Sequence, residues 1–177
     1  QGKNDQNILQ KQTGLPISTY FSALKVKWMI DNNNEVKTAV DEGRAMFGTV
    51  DTWLVYKLTN GQKHVSDATN ACRTMLYDIE KNSWSDELLD FFEIPKTLIL
   101  PEILPSSGLF GEVLDENLDF LKNCPITGIL GDQQAALVGQ QCLEPGMLKN
   151  TYGTGCFLLQ NTGKTVDGRT DGYTDYS

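Results

Sequence analysis

Residues 125–159 read PITGILGDQQAALVGQQCLEPGMLKNTYGTGCFLL, and this run concentrates the chemistry of the chain. An apolar, strand-like segment, Ile126-Thr127-Gly128-Ile129-Leu130, ends in Gly131-Asp132 and gives way to a small-residue helix pattern, Gln134-Ala135-Ala136-Leu137-Val138-Gly139. That order puts a carboxylate at the mouth of a strand-to-helix turn, where helix N–H groups and ligands meet in α/β proteins. Taken alone, Asp132 suits two roles. It is a candidate general base, held rigidly at a strand end yet open to a crevice, or a helix N-cap, which needs only a short oxygen side chain. Further on, Tyr152-Gly153-Thr154-Gly155-Cys156 sets a glycine-flanked threonine between two β-prone runs. Such a turn can bring backbone N–H groups close to an anion, and an ordinary hairpin would carry a similar string.

Working outward, 177 residues with 40% hydrophobic and 21% charged content are enough for one domain or slightly more with a real core. The net charge of −8 and the single histidine, His64, provide no basic face for a nucleic-acid backbone. Small anions remain acceptable, because backbone N–H groups bind them without net positive charge. Cys72, Cys124, Cys142 and Cys156 are scattered and lack C-x-x-C grouping, so buried thiols are expected rather than a metal site. No signal-like segment, sequon or membrane-length apolar run occurs, and a reducing, cytoplasmic setting is the expectation. The chain opens on Gln and closes on a polar, unpatterned tail after Gly163, which reads as a truncated record of a larger protein.

Upstream, Thr13-Gly14-Leu15-Pro16 reads as a turn, with Ser18 or Thr19 placed to cap a helix carrying Phe21, Leu24 and Trp28. The asparagine run 32–34 breaks it. A second helical pattern follows through Val36, Ala39 and Val40, then a third through Phe47, Val50, Leu54 and Leu58, ended by Asn60-Gly61. Asp67, Thr69 and Asn70 cluster without an evident reason, and residues 73–79 read as extended, with Met75, Tyr77 and Ile79 alternating. Ser85 caps a short helix with Asp86 and Glu87 in its first turn. Phe110 and Val113 suggest an edge strand, and Asp115, Glu116 and Asp119 an acidic loop. Residues 143–146 are a turn and a candidate domain crossing, followed by two strands around Gly153-Thr154-Gly155. Arg73 suits an anion clamp or, more simply, an ion pair, while Trp28, Trp53 and Trp84 are expected in the core.

The strings themselves add to this periodicity. Residues 20–32, YFSALKVKWMIDN, resemble the first signature of the FGGY carbohydrate kinases. Residues 47–54 (FGTVDTWL), 69–76 (TNACRTML), 131–137 (GDQQAAL) and 149–157 (KNTYGTGCF) are similar, in the same order, to the glycerol-kinase branch of that family. The resemblance runs in register from about Thr13 to Gly163. It implies an α/β chain, part of a two-domain actin-like, hexokinase-like (ribonuclease H-like) ATPase fold. Residues 1–143 would be the later part of the N-terminal domain and 144–177 the truncated start of the C-terminal one. The implied reaction is ATP-dependent phosphorylation of glycerol to sn-glycerol 3-phosphate, with Mg²⁺. By the same resemblance Asp132 would be the catalytic base and Gln133 would bind glycerol beside it. Tyr20 would hold another glycerol hydroxyl and Phe157 would pack on the carbon backbone. Thr154, with Gly153 and Gly155, would sit by the ATP phosphates, and no residue of the chain is assigned as a metal ligand.

The family's N-terminal phosphate hairpin, its Arg-Glu pair and a tryptophan for glycerol would lie upstream of residue 1, and its adenine site beyond residue 177. The isolated chain is therefore expected to be inactive. Bacterial members carry an arginine-containing loop for fructose 1,6-bisphosphate, and the corresponding residues 112–124 have no arginine. The partners expected are glycerol and ATP, with no nucleic acid, no membrane span, and a homo-oligomer of the whole enzyme left open. Two alternatives stay in view: another FGGY kinase acting on a larger polyol or sugar, and an inactive actin-like binding or structural fragment.

Overall fold

The computed structural model describes residues 7–153 and 155–164. A short helix α1 (Gln10–Thr13) closes on Gly14, whose left-handed backbone (φ 72°) returns its N–H to the carbonyl of Gln10. Helix α2 (Ser22–Asn32) buries Ala23, Val26 and Ile30. Its N-cap is Phe21, with no side-chain cap; Ser18 instead accepts from the N–H of Tyr20, so the expected cap serves the preceding turn. Asn33 ends α2 and caps α3 (Asn34–Asp41), accepting from the N–H groups of Glu35 and Val36. Helix α4 (Val50–Leu58) begins three residues later than the pattern beginning at Phe47 and ends at Asn60 and Gly61, both at positive φ.

Strand β1 (Val65–Asp67) leads directly into helix α5 (Ala68–Ala71). The expected extended run at 73–79 is mostly turn: Met75 takes φ 63°, and only Tyr77 and Asp78 form strand, β2, paired antiparallel with β3 (Ser83–Trp84). The alternation nevertheless marks burial, since Met75, Tyr77 and Ile79 are all in the core. Ser85 caps helix α6 (Asp86–Phe91) as expected, accepting from the N–H of Leu88. Strand β4 (Glu102–Leu104) pairs in parallel with β1, and β5 (Ser107–Glu112) pairs antiparallel with β6 (Pro125–Gly128) around a 3-10 turn, Glu116–Leu121. Helix α7 (Asp132–Gly139) and the hairpin β7 (Leu148–Tyr152) and β8 (Cys156–Gln160) complete the described residues.

The largest core cluster packs α2 and α3 against α6, through Phe21, Val26, Ile30, Val40, Leu88 and Phe92. A second, smaller cluster of Val55, Val65, Phe110 and Ile129 lies where α4, β1, β5 and the end of β6 meet. Burial departs from expectation at the tryptophans. Trp28 and Trp53 are 65% and 60% exposed, because each falls on the outward side of its helix, whereas Trp84 is half-buried between Phe47 and Tyr77. Cys72 and Cys142 are buried and Cys124 and Cys156 exposed, all four as free thiols. No helix among the described residues is long and apolar enough to cross a membrane.

Candidate functional site

Strand β6 ends at Gly128, two residues short of the apolar run, yet the chain stays anchored until the helix begins. Ile129 donates its N–H to the carbonyl of Ser106 and enters the second core cluster. Gly131 then approaches α5 so closely that a Cβ there would sit 2.6 Å from Gln134 Oε1 and 3.2 Å from the carbonyl oxygen of Thr69. A side chain at this position would displace the Gln134 amide and crowd the Thr69 carbonyl. Gly131 is also the N-cap of α7, which leaves Asp132 as the first helical residue rather than the cap. Its carboxylate is exposed, is favoured at this end by the helix dipole, and accepts from the N–H of Gln133 at 2.8 Å. Gln133 Nε2 stands 3.5 Å from the second carboxylate oxygen.

Asp67 holds this turn from below. It is fully buried, and its carboxylate accepts five hydrogen bonds: from Thr69 N–H and Oγ1, from Asn70 N–H and Nδ2, and from Ser106 Oγ at 2.6 Å. The Thr69 hydroxyl that donates to Asp67 accepts in turn from the N–H of Gly131 at 2.7 Å. The buried Asp67 side chain thus reaches the start of α7 through one hydroxyl, and a hydroxyl that donates to it is the better acceptor for Gly131. Burial pushes the neighbouring Tyr77 phenol up to about 12, with Cys72, Asp67 and Asp78 adding to the effect, so this phenol stays neutral beside the carboxylate.

The hairpin faces α7 with one side only. Lys149, Thr151, Phe157 and Leu159 share that side, since Thr151 pairs with Phe157 and Lys149 with Leu159 across the ladder. Lys149 is buried and donates to Gln133 Oε1 and, at 2.8 Å, to Thr151 Oγ1. The hairpin side bearing Phe157 is thereby fastened to the helix turn bearing Asp132 and Gln133. Between the strands Gly153 donates its N–H to the carbonyl of Gly155, and a Cβ on Gly155 would come within 2.9 Å of the Phe157 ring. Thr154 lies outside the described residues.

Tyr20 is 60% exposed in the turn before α2, its ring edge-on to Phe21 at 5.2 Å. The guanidinium of Arg73 lies over the Phe21 ring at 4.9 Å, and the N–H of Ala23 donates to the carbonyl of Thr74. The segment that holds Gly131 through Thr69 therefore also holds the start of α2. No hydrogen bond joins Tyr20 to Asp132 or Gln133 among the described residues. The site as built brings Asp132, Gln133 and the Phe157 side of the hairpin together, with Tyr20 on a separate arm of the same scaffold.

Sequence reasoning noted the cluster at Asp67 without giving it a role, and assigned none to Ser106, Lys149 or Thr151. For Asp67 a signal exists: an aspartate followed by threonine at +2 and asparagine at +3 is the spacing of a side-chain cap on the next turn. For Lys149 strand alternation points the wrong way, since Leu148 and Leu158 face outward and the lysine inward.

A profile of the FGGY family of carbohydrate kinases, N-terminal domain, matches residues 1–139. A glycerol kinase of Bacillus cytotoxicus is 49% identical over 160 residues, which is 90% of this chain and 32% of that protein. One from Bacillus cereus is 50% identical over 162 residues, 92% of this chain and 32% of its own. Among solved structures, Plasmodium falciparum glycerol kinase with ADP matches at TM-score 0.89 and 45% identity, over 95% of this chain and 33% of that one. Xylulose kinase from Rhodospirillum rubrum, at TM-score 0.73, 18% identity and coverage of 87% and 31%, shares the fold. The chain spans about a third of the length of the curated relatives it matches. The expected actin-like, ribonuclease H-like α/β fold class holds for it. On the strength of the profile, which covers most of its residues, the chain belongs to the FGGY family of carbohydrate kinases.

Proposed function

We propose that the whole protein transfers the γ-phosphoryl group of ATP to glycerol, giving sn-glycerol 3-phosphate. The observation that carries this reading is the fastening of two elements: an exposed carboxylate at the first turn of α7, and a glycine-flanked hairpin turn whose strands are tied to that helix by Lys149. The similarity to glycerol kinases at about half identity supplies the substrate. Phosphoryl transfer asks the protein mainly to position an alcohol, accept its proton and stabilise charge. In this reading Asp132 is the base. Among the described residues its carboxylate is engaged by the donors of Gln133, which leaves acceptor capacity for a hydroxyl proton. Gln133 and Tyr20 hold glycerol hydroxyls and Phe157 covers its carbons. Gly153, Thr154 and Gly155 offer the turn to the ATP phosphates.

Among the described residues no group of three or more His, Cys, Asp or Glu stands together to hold a metal. Mg²⁺, brought in with the nucleotide, would supply charge neutralisation on the transferred group. The turn at 143–146 is read as the crossing between an N-terminal domain (1–143) and the start of a C-terminal one (144–177). Four free thiols, two of them exposed, support a reducing cytoplasmic setting.

The test is turnover by the full-length protein with ATP and a panel of glycerol, xylulose and gluconate. Glycerol is expected to give the highest kcat/KM, and a clear preference for either other compound overturns the substrate reading. Asp132→Asn is expected to lower kcat by about 10²–10⁴-fold. Near-unchanged turnover would sink the role of Asp132 as base.

A further inference from the structure

Lys149 is the residue whose burial the proposed reaction leaves unexplained. Its side chain is 2% exposed on the inward face of β7, a degree of burial that lysine tolerates only with partners. No carboxylate lies within ion-pair reach of it among the described residues. Its partners are two neutral oxygens, Gln133 Oε1 and Thr151 Oγ1. An ammonium has donors and no acceptor, so the Gln133 carboxamide can meet it only oxygen-first. The Nε2 of Gln133 is then turned the other way, to 3.5 Å from Asp132 Oδ2.

We infer that Lys149 is a positioning residue that fixes the flip of the Gln133 amide, so that Gln133 presents N–H donors rather than its carbonyl toward Asp132 and the bound hydroxyls. The inference rests on the proposed use of Asp132 and Gln133 with glycerol. The chemical consequence is specific. A hydroxyl about to lose its proton to Asp132 donates to that carboxylate and has lone pairs free to accept. A Gln133 that shows N–H completes this arrangement, whereas one that shows its carbonyl competes with Asp132 for the same proton and leaves the hydroxyl oxygen without a donor. The ammonium also polarises the amide, which makes Nε2 the stronger donor. Thr151, the cross-strand partner of Phe157, accepts the lysine's second hydrogen bond and holds it in this register.

A double-mutant cycle in the full-length enzyme tests this, using Lys149→Met, Gln133→Ala and the pair. Lys149→Met alone is expected to lower kcat/KM for glycerol about tenfold or more while the KM for ATP changes less than twofold. In the Gln133→Ala background the same substitution is expected to change kcat/KM for glycerol less than twofold, because the amide it orients is gone. Equal losses in both backgrounds, or a loss that falls on the KM for ATP, overturn the inference. A substrate-free readout keeps the question separate from the identity of the substrate: the side-chain NH₂ resonances of Gln133, assigned by their loss in Gln133→Ala, are expected to move in Lys149→Met. Unmoved resonances refute the contact. If Lys149→Met does not fold, Lys149→Leu, which likewise offers no donor to the Gln133 oxygen, serves in the same cycle with the same expected outcomes. Absence of glycerol turnover in the unmutated enzyme would sink the substrate reading alone, and the resonances would still decide the role of Lys149.

Discussion

Asp67 shows how much of the site is held by a residue that touches no substrate in the proposed reaction. Its buried carboxylate gathers five donors, and through one of them, the Thr69 hydroxyl, it holds an acceptor toward Gly131. Asp67→Ala in the full-length protein would strand those donors in a site that water does not reach. Hydrogen bonds to a charged group contribute about 1.5–3 kcal/mol each, and they are not additive in a shared network. A loss of about 3 kcal/mol or more in urea unfolding is therefore expected, and a loss below about 1 kcal/mol would show that the network is dispensable. Gly131 sets a second condition at the same place. With Thr69 and Gln134 pressed against it, Gly131→Ala is expected to cut turnover on glycerol at least tenfold by shifting the first turn of α7. Wild-type kcat/KM in that variant would mean that the close approach has no bearing on Asp132.

At the scale of elements, capping and local turns carry much of the order, and one of them is pH-sensitive. Asp78 closes the β2–β3 turn. Burial raises its pKa, but the N–H groups of Lys81 and Glu80, the Gln12 amide and the Lys81 ammonium outweigh this and hold it below the ordinary aspartate value. A carboxyl group with a depressed folded pKa gives stability that is present above its unfolded value, about 3.9, and lost as pH falls through the folded one. Unfolding midpoints of the wild type and Asp78→Asn should thus differ at neutral pH and converge below about pH 4; a constant difference down to pH 2 would refute the link. Elements of this kind were the legible part of the sequence. Ser85 with Asp86 and Glu87, the asparagine run and Asn60-Gly61 act through neighbours a few residues away, so their spacing predicts them. The turn at 72–75 was not legible, because Met75 takes a left-handed backbone that no local residue signals and that burial in the core enforces. In the site, the Gly131-Asp132 turn could be read as a strand-to-helix junction. The inward Lys149 could not, since its partner Gln133 lies sixteen positions back in sequence and strand alternation favours the leucines.

The whole molecule, as 177 residues, leaves apolar surface open in a pattern. The outward side of the β7–β8 hairpin carries Leu148, Tyr152 and Leu158 at 56%, 79% and 65% exposure, directly opposite the side that faces α7. Trp28, Trp53 and Val50 are similarly exposed on the helices. The strands among the described residues form four separate two-stranded sheets, so each sheet leaves unpaired backbone along its edges. Exposed apolar faces and open edges together favour association with other chains. On the proposed reading the remainder of a protein about three times as long covers the hairpin and supplies the rest of the cleft. Expressed alone, the 177-residue chain is therefore expected to bind a hydrophobic dye, to elute from size exclusion above its 19.7 kDa monomer, and to hydrolyse no ATP in response to glycerol. The full-length protein should bind the dye weakly at equal concentration. Substituting Leu148 and Leu158 by lysine in the isolated chain should lower its association while leaving helix content by circular dichroism unchanged, because neither side chain contacts α7 from that side of the ladder. A monomeric, dye-silent wild-type fragment would show that these surfaces need no covering, and glycerol-dependent ATP consumption by it would show that the cleft is complete without the rest.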